Sequence, residues 1–158
     1  MKRKSLAFTL VEVLIVVTII SILVSISVVF NRKIQISSRD KERETEITII
    51  ANALESYYNN SGEYPGVSVM TNSNGATVRT LLGIKDVGAI VAPTAPPGTT
   101  NSIVSTGSSP DRYIYTTAET NPAIGTCATS GSLTGCTKFQ LSYTKEDGNT
   151  TITVDSRH

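Results

Sequence analysis

The chain of 158 residues has no Trp, a single His and two Cys, and no Gly or Pro before Gly62. One His, at position 158, with Cys127 and Cys136 cannot supply a His/Cys-rich zinc cluster. The sequence also lacks a Gly-rich phosphate loop, a Ser/His/Asp set and any metal-binding motif, so nothing in it points to catalysis or to a cofactor. The net charge is only +1, so a strongly basic footprint for nucleic acid is missing. Lys138, Lys145 and Arg157 are scattered charges, not a patch; nucleic acid is a possible partner without support. The missing Gly and Pro matter most. All 11 Gly and all 6 Pro fall after Ser61, so a long regular element is followed by a turn-rich globule.

Within that first part, Phe8 to Phe30 holds 17 Phe, Leu, Ile or Val among 23 residues. As a helix it is about 35 Å long, enough to span a bilayer core. It exceeds an ordinary cleaved signal core, and no small-residue cleavage site follows it, so the segment is expected to stay in the mature protein. Lys2, Arg3 and Lys4 precede it; Arg32, Lys33 and Arg39 follow it. The positive-inside rule therefore favours a cytoplasmic N-terminus only modestly. Two closely spaced Cys in the globule, suited to an oxidising compartment, decide for an exported C-terminal part.

Glu12 stands inside the apolar run, between Val11 and Val13. A carboxylate at mid-membrane costs about 2.5–3.5 kcal/mol on insertion scales, less near a helix end. One reading is that it snorkels to the interface. The other is that it pairs with a positive group at the same depth. No Lys or Arg lies between Lys4 and Arg32, but a new α-amine would arise if the chain were cut just before Phe8. Thr18, Ser21 and Ser25 share one helical face, where they either let helices approach or bond their own backbone carbonyls.

The run Lys2-Arg3-Lys4-Ser5-Leu6-Ala7 followed by Phe8-Thr9-Leu10-Val11-Glu12 resembles the class III signal of type IV pilins and type II secretion pseudopilins. The resemblance implies that a membrane prepilin peptidase removes the leader between Ala7 and Phe8, and that Phe8 is then N-methylated. It also implies that Phe8 and Glu12 set register in a filament. Two positions depart from the family pattern: Ala7 stands where Gly is usual, and Val29 where many pilins carry Pro. With no Pro before Pro65, a continuous helix is expected.

That helix is expected to run to Ser61, roughly 80 Å. The run Arg39-Asp40-Lys41-Glu42-Arg43-Glu44 offers opposite charges at i, i+3 in Arg39–Glu42, Asp40–Arg43, Lys41–Glu44 and Arg43–Glu46. It reads first as a solvated face, second as a subunit contact. Ile47, Ile50, Ala51, Leu54, Tyr57 and Tyr58 form an apolar stripe that needs a partner. Gly62 suits a left-handed cap, and Tyr64 can fold back onto Tyr57 and Tyr58. The Gly62-Glu63-Tyr64-Pro65 junction is similar to those that follow the long helix in pseudopilins and related pilins.

In the globule, 33 of the 97 residues from Gly62 on are Ser, Thr or Asn, so its core must borrow the helix stripe. A short helix is expected over residues 76–82, a loop over 92–107, and strands at 113–115, 139–143 and 150–154 with a turn at Asp147-Gly148. The expected fold is α+β: a long helix packed on a small antiparallel sheet. The expected divisions are a leader 1–7, a membrane and filament-core helix 8–30, an extended amphipathic helix 31–61 and a head 62–158. Cys127 and Cys136 are expected to form a disulfide, and the loop they bound resembles a much shortened form of the variable region of pilins. Asp111, Glu146, Asp147 and Asp155 show no calcium-ligand pattern.

The resemblance thus implies a structural subunit of a type IV pilus, with a type II secretion pseudopilin, or a minor pilin or adhesin, as the alternatives. Its implied partners are further copies in a helical filament, the prepilin peptidase, an assembly platform and minor pilins. Its implied location is the inner membrane, then a filament on a prokaryotic cell surface.

Overall fold

The structure is a computed structural model that describes residues 9–118 and 135–158. Helix α1 runs Leu10–Ser61, 52 residues without interruption, as the missing Gly and Pro predict. It stays helical through Val29, where a Pro would have cost a hydrogen bond and opened a kink. The chain divides into two compact units, Met1–Ser37 and Ser38–His158.

In the first unit every described apolar side chain of α1 from Leu10 to Ile34 is exposed, between 80% at Leu10 and 50% at Ile26, and only Ile36 is half-buried. The helix is long and apolar enough to cross a membrane, with a mean hydropathy of 3.1 over its most apolar window. The hydroxyls do not project as free donors. Thr18 donates to the Ile15 carbonyl, Ser21 to Val17, Ser25 to Ser21 and Ser27 to Leu23. Of the two readings of this Ser/Thr face, local backbone bonding is the one observed. It hides polar groups that lipid could not satisfy.

The second unit is an α+β domain. Gly62 ends α1 at φ +80°, its N–H donating to the Tyr58 carbonyl at 2.7 Å. The chain then reverses, and Tyr64 packs on Tyr58 with ring centroids 4.6 Å apart. Two short helices follow, α2 (Val67–Met70) and α3 (Gly75–Leu82), then a 3-10 turn at Gly88–Ile90. The sheet contains β1 (Ile103–Val104), β2 (Tyr113–Ala118), β3 (Lys138–Thr144) and β4 (Thr151–Asp155), in spatial order β1-β2-β3-β4. The three longer strands are antiparallel, as expected. The sheet as a whole is mixed, because β1 pairs parallel to β2 through Ile103↔Tyr113 and Val104↔Ile114. This two-residue strand falls in the Pro/Thr/Gly/Ser stretch expected to be loop. It is too short to carry a period-two pattern.

One face of the sheet, through Tyr113, Tyr115, Leu141 and Tyr143, shares a core with Ile47, Ile50, Ala51 and Leu54 of α1. All eight are at most 8% exposed. The register sets Tyr113 opposite Tyr143 and Tyr115 opposite Leu141, so large buried side chains face each other across the strands on the core side. The globule thus completes its core with the helix stripe.

Gly75 marks a close backbone approach. A Cβ there would lie 1.7 Å from the Thr100 carbonyl oxygen. The loop is pinned by Gly75 N–H to Thr100 Oγ1 (3.2 Å) and by Asn101 Nδ2 to the Met70 and Asn72 carbonyls. Gly75→Ala should therefore force two backbone segments apart. A loss of about 1–3 kcal/mol is expected from such overpacking, read by denaturation of the full chain in detergent. An unchanged midpoint would show that the loop yields freely.

Candidate functional site: the start of the long helix and its charged second unit

Helix α1 needs partners for its first N–H groups, which no preceding turn supplies. Thr9 and Glu12 provide them reciprocally. The Glu12 N–H donates to Thr9 Oγ1 at 3.2 Å, and Glu12 Oε2 accepts from the Thr9 N–H at 2.9 Å. The Thr9 hydroxyl donates to the same oxygen at 2.8 Å. This is a capping box, with Thr9 as N-cap and Glu12 three residues on. It gives Glu12 a role within its own chain that the sequence reading missed, although Thr-x-x-Glu before an apolar run was its visible signature. Glu12 Oε1 has no partner among the described residues. The carboxylate is thus held in one orientation through its Oε2.

Ala7, Phe8 and Cys127 lie outside the described residues. Cys136 is fully buried just before β3. Its carbonyl accepts from the Tyr64 N–H at 2.8 Å, and the neighbouring Gly135 N–H donates to Glu63 at 2.7 Å.

The charge run of α1 corrects its first reading. Only half of it is a solvated face: Lys41, Glu42 and Glu44 are exposed, whereas Arg43 is 0% and Asp40 8% exposed, as is Glu46 just beyond the run. Asp40–Arg43 (2.8 Å) and Lys41–Glu44 (3.2 Å) are formed as expected. The other cationic forks turn to the β3–β4 hairpin. Arg39 grips Glu146 with two bonds, Nε to Oε1 at 2.8 Å and Nη2 to Oε2 at 2.6 Å. Arg43 Nη2 reaches Glu146 Oε1 at 2.6 Å and Thr94 Oγ1 at 2.7 Å, while Nε donates to the Pro110 carbonyl. Asp40 receives the backbone N–H groups of Glu146 (3.0 Å) and Asp147 (3.2 Å), which fixes the hairpin turn on the helix. The Arg39 fork, with Arg43 beside it, holds the Glu146 carboxyl down to about 2. The reason for the burial is positional. Asp40 and Arg43 continue, at steps of three and four residues, the stripe of Ile47, Ile50 and Leu54.

A second polar contact ties the C-terminal residues to α1. Glu55, 7% exposed, accepts from Tyr64 Oη at 3.0 Å and from the Arg157 N–H at 2.8 Å. No group of three or more His, Cys, Asp or Glu that could hold a metal ion occurs among the described residues.

Residues 2–28 match the Prokaryotic N-terminal methylation motif, the class III prepilin signal of type IV pilins and pseudopilins. Subunits with this signal are structural and generally non-enzymatic. No curated protein and no solved structure gives a significant match to the chain.

Proposed function

We propose that this chain, which the matched motif supports as a type IV pilin-like or pseudopilin family member, is a structural subunit of a type IV pilus. The observation that carries the reading is an apolar helix, exposed from Leu10 to Ile34, whose single carboxylate is held at its start by Thr9 through one oxygen, the other having no partner among the described residues. Such a helix has two stable surroundings, lipid and copies of itself. Prepilin peptidase would cut between Ala7 and Phe8 on the cytoplasmic side, and Phe8 would be N-methylated. The new ammonium of one subunit would then meet Glu12 Oε1 of a neighbour and fix axial register. Thr9 and Glu12 both lie beyond the cut, so the capping box is kept. Before assembly the subunit would sit in the inner membrane with its N-terminus inside, where the assembly platform and minor pilins would engage it. The finished filament would stand on the cell surface.

A Cys127–Cys136 bridge would anchor the intervening loop to the core at Cys136, contributing roughly 2–3 kcal/mol by loop entropy. The Ser/Thr-rich head and this loop favour the pilus. The Gly62-Glu63-Tyr64-Pro65 junction keeps the pseudopilin of a type II secretion system as the second reading.

The test is intact mass and N-terminal fragmentation of protein sheared from the cell surface. A chain beginning at N-methyl-Phe8, and lighter by one pair of hydrogens, is expected. An intact Met1 chain held in the membrane would remove the ammonium that Glu12 needs and end the filament reading.

A further inference from the structure

Glu46 lies on the buried side of α1, one turn before Ile50, and the Tyr113 hydroxyl at the start of β2 is bonded to its Oε2. Glu46 is 8% exposed and Tyr113 is 0% exposed, so neither can turn to water without opening the helix–sheet contact. No cation pairs with Glu46 among the described residues. The nearest candidate, Arg43, is already committed. Four of its N–H bonds go to Pro110, Asp40, Thr94 and Glu146. The other charged groups that act on Glu46 are acidic, Glu42 from α1 and Asp86 from the segment before the 3-10 turn. A buried carboxylate with one neutral donor and no cation is costly, whereas the neutral acid is tolerated.

We propose that Glu46 and Tyr113 form a proton-dependent clasp between α1 and the sheet, closed while the carboxyl is neutral and loosened when it ionises, because the cost of burying a carboxylate without a cation exceeds what its stronger bond from Tyr113 returns. Burial pushes the Glu46 carboxyl up to about 7, and like charge from Glu42 and Asp86 adds to this. The Tyr113 donor and the Arg43 charge pull the other way. Burial, then the bond to Glu46, drives the Tyr113 phenol far above its usual range, so it remains a donor throughout. The sign follows. A carboxyl whose folded value lies above its ordinary 4.5 binds a proton more readily in the folded chain. Its stabilisation is whole below 4.5 and is lost as pH rises through about 7.

The clasp is tested on the full chain in detergent micelles, by chemical denaturation at about pH 5 and about pH 8. Wild type is compared with Glu46→Gln and Tyr113→Phe. The folding constant of the wild type should fall roughly ten- to a hundredfold more than that of Glu46→Gln across this range. Every other titrating group is common to both chains, so it cancels in the comparison. Tyr113→Phe deletes the donor that favours the carboxylate, so it should move the midpoint of the pH effect upward. An equal pH slope in wild type and Glu46→Gln, or a midpoint that Tyr113→Phe leaves in place or lowers, would overturn the clasp. A readout free of any variant is the carbon-13 titration of the wild-type chain labelled at glutamate side-chain carboxyls. One resonance should titrate near neutrality, and a set that all titrate in the ordinary carboxylate range would overturn the proposal.

Discussion

If the chain is the filament subunit proposed above, Glu12→Leu is expected to leave it in the membrane and to abolish the filament. The substitution removes a carboxylate from an apolar run and adds an aliphatic side chain, which favours insertion by about 2–3 kcal/mol on insertion scales. In the proposed bundle the same change would strand a neighbour's ammonium in a dry core. Stranding one partner of a buried ion pair costs roughly 3–5 kcal/mol, and the cost recurs at every subunit. Filaments sheared from cells and counted by electron microscopy should fall below detection, while fractionation finds normal amounts of membrane-bound subunit.

The capping box means that Leu removes two things at once, the charge and a helix cap. Glu12→Gln separates them, because Gln at the third helical position still closes a capping box with Thr9 but carries no charge. Thr9→Val does the reverse, losing a cap worth about 1 kcal/mol and keeping the carboxylate. If charge fixes register, Glu12→Gln fails to assemble and Thr9→Val assembles. Normal filaments from Glu12→Gln would sink the register idea and leave Glu12 as a cap alone.

What could be read from the sequence was what depends on local spacing. The absence of Gly and Pro up to Ser61 predicts α1, Gly62 its end and Tyr64 its return contact, because each rests on one residue's backbone freedom or on neighbours a turn apart. Alternation at 139–143 and 150–154 predicts β3 and β4 for the same reason. The strand β1 was hidden, since a two-residue parallel pairing is created by the partner and not by its own pattern. The buried half of the charge run was misread because i, i+3 counting sees only pairs on the helix. Arg39 lies 107 positions from Glu146, its strongest partner in space. A cue existed nonetheless: Asp40 and Arg43 lie in phase with the apolar stripe, and a charge in phase with a core stripe is a buried charge awaiting a distant partner. At the helix start, the Thr9–Glu12 spacing was equally local and would have predicted the cap.

Arg43 is where breaking that arrangement should cost most. It is the fully buried cation that serves the carboxylates of Asp40 and Glu146, the Thr94 hydroxyl and the Pro110 carbonyl together. Arg43→Met keeps much of the side chain's apolar volume and removes every one of those bonds. Asp40 then retains two backbone N–H donors, and Glu146 retains the Arg39 fork, which is one-third exposed. The expected loss is about 3–5 kcal/mol, as for other buried pairs deprived of one partner. Arg39→Met, at the wetter end, should cost less, on the order of 1 kcal/mol.

The pH dependence separates a charge effect from a packing effect. In the wild type, Glu146 is held down to about 2, below its ordinary 4.5, so its contribution is complete above 4.5 and fades as pH falls toward 2. Losing Arg43 raises the folded value, so the acid limb of the stability curve should shift to higher pH and shrink. Denaturation midpoints of the full chain in detergent, measured from about pH 2 to about pH 6, read both effects. A uniform drop with an unmoved acid limb would mean that Arg43 supports the core by packing and by its bonds to Thr94 and Pro110, not by its charge on Glu146. A raised limb would show that the guanidinium holds the hairpin to the helix by charge.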